Sequence, residues 1–139
     1  MAASYSGYSG KPLAEKLGIR PGTQIAVIGA PANYRELLGP LPAKIKIVRS
    51  PKRGAPFIHL FAKERTELEE QLVMYRKTIA QDGVLWVSWP KKASKVPTDI
   101  TEDVVRAVAL PLGLVDVKVC AVNETWSGLK LVIRREKRS

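Results

Sequence analysis

The stretch Gln24-Ile25-Ala26-Val27-Ile28-Gly29-Ala30-Pro31-Ala32-Asn33 decides the fold. Its first part, 24–30, is an apolar run after Gln24 that ends at glycine and alanine, which reads as a strand covered on both faces. Asn33 with Glu36 three positions on resembles a capping box, Asn standing for the usual Ser or Thr, and opens a short helix that ends near Gly39. A buried strand running straight into a helix is the start of an α/β sheet. In many such sheets the turn between them carries Gly-x-Gly-x-x-Gly, so that backbone N–H groups reach a nucleotide. Here Pro31 has no N–H to donate, and Ala30 and Ala32 add side chains. The turn is therefore expected to be a structural elbow.

Upstream, Pro12 suits the first turn of a short helix and Gly18 its C-terminal end, with Leu13 and Leu17 facing the core. Residues 1–9 are expected to form a flexible arm, leaving 10–139 as one α/β domain. Downstream, further strands are expected at 44–49, 57–62, 84–89, 115–122 and 129–134. Thr66-x-x-Glu69 reads as a capping box. Leu68, Leu72, Tyr75 and Ile79 follow at helical spacing, and Asp82-Gly83 stands where the helix would stop. The last helix takes Asp99 or Thr101 as its cap and Val104, Val105, Val108 and Leu112 as its buried stripe. The segment 50–56 is too short for an ordinary parallel crossover, so either it runs straight across the sheet or the second strand is irregular. The final two strands, joined by 123–128, are expected to pair antiparallel.

The chain has 139 residues, 45% of them hydrophobic, which is enough for a real core. Its net charge is +10, and the basic residues cluster at 44–53, 91–95 and 130–138 while acids gather at Glu64, Glu67, Glu69 and Glu70. Such patchiness suits an anionic ligand or partner. A single cysteine, Cys120, rules out a disulfide framework and a paired-cysteine zinc site. His59, the one histidine, lies inside a buried run and reads as a core residue. No cofactor or metal is expected. No stretch has the length or polarity of a membrane span or a secretory leader, so a cytoplasmic location is expected.

From residue 57 onward, Asp82-Gly83-Val84-Leu85-Trp86-Val87 and Leu112-Gly113-Leu114-Val115-Asp116-Val117 resemble the C-terminal half of class I methyltransferases. The fold this implies is three-layered, Rossmann-like and methyltransferase-like. It has a mostly parallel sheet of about six strands and a C-terminal antiparallel strand pair. The activity is not implied. That family's methyl donor needs a glycine-rich first loop and an acid at the end of the second strand, where this chain has Val48-Arg49-Ser50. A closer likeness lies in Tyr8-Ser9-Gly10-Lys11-Pro12-Leu13-Ala14, in Trp86-Val87-Ser88-Trp89-Pro90-Lys91-Lys92-Ala93-Ser94, and in Val117 through Leu129. On these strings the chain is identified as a member of a bacterial family, domain of unknown function 3052. That family supplies no activity, and its pattern often has Asp where this chain has Asn123.

Ligands of open α/β sheets bind beyond the carboxyl ends of the strands. Three loops are expected to meet there: 29–33, 63–66 and 89–95. The last is the chief candidate, with Lys91, Lys92 and Lys95 as cations, Ser88 and Ser94 as hydroxyls and Trp89 as a flat ring; Arg49 is expected to help. The turn with Glu124 and Trp126 is the second candidate. The leading expectation is a non-catalytic binding module that holds an anionic small molecule or a nucleic acid on this basic rim, away from any membrane. Two alternatives stay open: a small enzyme using Lys91 or Glu124 as acid or base, and a homodimer or larger oligomer built through exposed tryptophans.

Overall fold

In the computed structural model residues 11–139 are described, so the expected arm at 1–9 lies outside the described residues. The apolar runs form β1 (Gln24–Ile28), β2 (Lys46–Val48), β3 (Ala55–Phe61), β4 (Ile79–Pro90), β5 (Leu114–Ala121) and β6 (Trp126–Ile133). They join in one six-stranded sheet ordered β2-β1-β3-β4-β6-β5. β2, β1, β3 and β4 run parallel, while β6 pairs antiparallel with both β4 and β5. The mostly parallel sheet with a C-terminal antiparallel pair is thus as the sequence indicates.

Register fixes which side chains share a face, because a strand alternates its side chains with period two. One face presents Ile58, Leu60, Leu85, Val87 and Trp89. It is covered by α3 (Arg65–Thr78) through Leu68 and Leu72 and by α4 (Glu102–Ala109) through Val105 and Ala109. The other presents Ile25, Val27, Phe57, Phe61 and Trp86 to α1 (Leu13–Lys16) and α2 (Tyr34–Leu38). Leu13, Leu17, Tyr34 and Leu38 fill that side. Among the described residues no helix is long and apolar enough to cross a membrane.

Two local expectations are corrected and a third is resolved. First, α2 has no side-chain cap from Asn33, and α3 starts one residue before Thr66, with Glu64 at its cap position. The α3 start is held from outside by Asp99, whose Oδ1 accepts the Arg65 N–H at 2.7 Å, and from within by Glu67, whose Oε1 accepts the Lys63 N–H at 3.3 Å. That frees Thr101, whose hydroxyl accepts the Val104 N–H and caps α4. Second, α3 stops at Thr78 and not at Asp82-Gly83. Ile79 is drawn at once into pairing with Ala55, and 80–83 become an irregularity inside β4 before Val84 meets Phe57. Third, both readings of the 50–56 connection hold. β2 has only three residues, and Val48 and Ile58 both lie level with Ala26. The chain then needs to step past β1 by roughly 10 Å and back along the sheet by roughly 10 Å, which a few extended residues span without a helix.

Candidate functional site

β4 ends at Pro90, and the chain there turns through a short 3₁₀ segment, Lys92–Ser94, into Lys95 at φ 63°. Ser94 closes this turn itself. Its hydroxyl donates to the Lys91 carbonyl at 2.6 Å and accepts the Val96 N–H at 3.2 Å. The expected ligand hydroxyl at Ser94 is therefore already committed. The loop is also pinned at both ends. The Lys91 N–H donates to the Thr125 carbonyl at 2.7 Å, and Thr98 Oγ1 donates to the Lys63 carbonyl at 2.6 Å.

Between this loop and the start of α4 lies a cleft of about 570 Å³. Buried Trp89, Pro90 and Ile100 form its floor; exposed Lys92 and Lys95 and half-buried Lys91 form its rim. Glu102 is the acid on its wall and pairs with Arg106, which also bonds Asp116 at 2.9 Å and Asp103 at 3.2 Å. The cleft therefore combines an apolar bottom with a cationic edge.

The expected convergence of three loops is only partly realised. Loop 63–66 joins the lysine loop through Thr98 and Asp99, but the Gly29 turn does not line the lysine cleft. It lines a second cleft of about 450 Å³ with Tyr34, Arg35 and Arg49. Arg49 thus stands apart from the three lysines it was expected to assist. Gly29 is required there: its φ is 73°, and a Cβ would sit 2.8 Å from the Phe61 carbonyl oxygen. The turn is an elbow, as read, and it also lines a cleft, though a different one from the cleft of the lysine loop.

Ser88 and Trp126 point into the core. His59 is fully buried, with Nδ1 2.8 Å from the Tyr34 hydroxyl and Nε2 2.7 Å from Ser88 Oγ. Its ring stacks on Phe61, with centroids 4.3 Å apart, and Trp126 meets Phe61 edge-on at 5.0 Å. Burial lowers the His59 pKa to about 3 and pushes the Tyr34 phenol up, so both stay neutral. Cys120 is buried in the same core, and that burial raises its thiol pKa. All three tryptophans are buried, Trp86 at 0%, Trp89 at 6% and Trp126 at 8% exposure, so none is free to build the expected interface.

Glu124 is exposed in the neighbouring turn and does not line the lysine cleft; Ser127 does. Asn123 Oδ1 accepts the Thr125 and Trp126 N–H groups at 2.9 and 2.8 Å, a role an Asp carboxylate fills equally well. Arg35 and Tyr34 went unnoticed as site residues. Their place in the first turn after the Gly29 elbow was the signal.

The family model described as Protein of unknown function (DUF3052) matches residues 57–135, more than half of the chain, from β3 through β6 and across the lysine loop. No curated protein matches the sequence. Among solved structures, a SAM-dependent methyltransferase from Aquifex aeolicus is similar with a TM-score of 0.64 at 14% identity, over 86% of both chains. A Sulfolobus solfataricus protein assigned to the type 11 methyltransferases gives 0.60 at 11% identity, over 91% of this chain and 92% of that one. The ribosomal protein L11 methylase of Lactobacillus delbrueckii subsp. bulgaricus gives 0.55 at 10% identity, over 88% and 75%. At these identities the likeness shows the fold alone.

The fold raises the question of S-adenosylmethionine, and the residues of the Gly29 cleft do not fit it. Pro31 withholds an N–H, Ala30 and Ala32 carry Cβ atoms, and Arg49 stands where the ribose hydroxyls call for an acid. No carboxylate lines that cleft.

Proposed function

The chain belongs to the DUF3052 family of proteins of unknown function, and we propose that it is a non-catalytic binding protein that captures an anionic small molecule in the lysine-rimmed cleft at the carboxyl end of β4. The observation that carries this reading is the placement of Lys91, Lys92 and Lys95 on one pinned loop over the apolar floor of Trp89, Pro90 and Ile100. The floor favours an apolar body and the rim a carboxylate or phosphate. Because hydrogen bonds to residues 63 and 125 already hold the loop, little ordering is left for binding to pay for. The concave, small-molecule-sized cleft favours such a ligand over a nucleic-acid backbone, which tracks an extended basic groove. Catalysis finds less support. The buried histidine has both ring nitrogens engaged in the core, and Glu124 lies off the cleft.

Native mass spectrometry of the freshly purified chain, followed by titration with carboxylated and phosphorylated small molecules and with single-stranded RNA and DNA, tests this. A bound small anion is expected. The double variant Lys92→Ala/Lys95→Ala should weaken its binding about ten- to hundredfold, in line with the loss of charge-assisted contacts. Tight, steeply salt-dependent oligonucleotide binding without small-molecule binding would transfer the site to nucleic acid.

A further inference from the structure

We propose that the second cleft, beside Gly29, is an independent site for a phosphate-bearing small molecule, held by Arg35 and Arg49, and that it rejects S-adenosylmethionine. The cleft is formed where the carboxyl ends of β1 and β2 meet the start of α2, so it shares no lining residue with the lysine cleft. Its walls include Ile28, Pro31, Ile47 and Val48, an apolar surface for the body of a ligand. Its charges are only the two exposed guanidiniums. Among the described residues neither forms an ion pair. Two such groups over an apolar cleft, with no acid to neutralise them, attract a dianion. Guanidinium forks match phosphate oxygens two at a time.

The features that spoil this turn for the methyl donor do not oppose a phosphate. Pro31, Ala30 and Ala32 keep ligand atoms off the backbone, but long arginine side chains reach outward and need no backbone approach. The charge reversal at Arg49 works in the same direction. A sulfonium is a cation and would meet two more cations, and its ribose hydroxyls would find no carboxylate acceptor. The residue changes in the turn and at the end of β2 are therefore consistent with a change of ligand.

Calorimetric titration of the full chain with AMP, ribose 5-phosphate, adenosine and S-adenosylmethionine, each as a separate arm, tests the proposal. The phosphorylated probes are expected to bind and adenosine and S-adenosylmethionine to leave no heat. Arg49→Ala and Arg35→Ala should each weaken phosphate binding about ten- to hundredfold, and Arg49→Lys should recover only part of it. Both arginines are exposed, and unchanged circular dichroism confirms that the variants fold. The titrations are repeated in the Lys92→Ala/Lys95→Ala background, which removes phosphate binding at the lysine cleft, so that the loss on adding Arg49→Ala or Arg35→Ala reads this site alone. The proposal is overturned if S-adenosylmethionine binds better than AMP or if no phosphorylated probe binds. It is equally overturned if the lysine variant, and not the arginine variants, loses phosphate binding.

Discussion

The sheet face under α3 and α4 is apolar among its fully buried residues, whereas the face under α1 and α2 holds Tyr34, His59 and Ser88 in one hydrogen-bonded chain. The difference follows from the helices. α3 is 14 residues long and lays Leu68 and Leu72 across β3 and β4. α1 and α2 have four and five residues, so the opposite face is filled by large rings: Phe57, Phe61, Trp86, Trp126 and Tyr34. An apolar face is stabilised by buried area and is indifferent to protons. A face with a buried imidazole is most stable while that ring stays neutral and both its nitrogens are partnered. Each cleft inherits its support accordingly. The lysine cleft stands on Trp89 and Ile100 of the apolar face, and the arginine cleft has Tyr34 in its wall.

The sharpest break in this comparison is Leu72→Ala. Leu72 is fully buried under α3, and truncation should cost about 2–5 kcal/mol by lost transfer energy and the cavity left behind. Urea denaturation at pH 7 and at pH 5 should show the same loss at both. A cost near zero would mean that the α3 face contributes little to the core.

Acid should act on the other face. The folded state holds His59 near pKa 3, while the unfolded chain titrates near 6.5, so between these values the unfolded state binds the extra proton. Stability is then full above pH 6.5 and falls as pH drops toward 3, by about 1.4 kcal/mol per unit, or about 2 kcal/mol at pH 5. Comparing denaturation midpoints at pH 7 and pH 5 reads this directly. In His59→Gln, which does not titrate, that part of the slope should vanish. If the variant keeps the whole slope, the carboxylates set the acid response and the two faces do not differ in this respect.

How much of this was legible depended on whether a feature was local. All six strands were visible because apolar runs bounded by glycine and proline are local signals. The helix starts were misread where the partner was distant. Thr66-x-x-Glu69 has the form of a capping box, but Asp99 reaches the α3 N-terminus from the far end of the lysine loop. Asp82-Gly83 looks like a stop, yet pairing of Ile79 with Ala55 ends the helix earlier. The lysine loop was found because its cations and ring are adjacent in sequence. Arg49 was assigned to the wrong cleft because only the strand order, with β2 at the sheet edge, shows which rim it occupies. Ser88 and Ser94 had the right chemistry, but one faces His59 and the other folds back on Lys91.

The smallest effect is expected from Tyr34→Phe, and it separates the two roles of this side chain. The change removes one hydroxyl from His59 Nδ1 and leaves the ring in place among His59 and Phe61. His59 keeps its bond to Ser88 Oγ, so the loss should be about 1–2 kcal/mol at pH 7, read from the denaturation midpoint. Tyr34 lines the Gly29 cleft while its hydroxyl is bonded to buried His59, so phosphate binding there should be unchanged. A loss of binding together with stability would show that the hydroxyl, through His59, holds the α2 side of the cleft in position. The polar face would then support a site as well as the core.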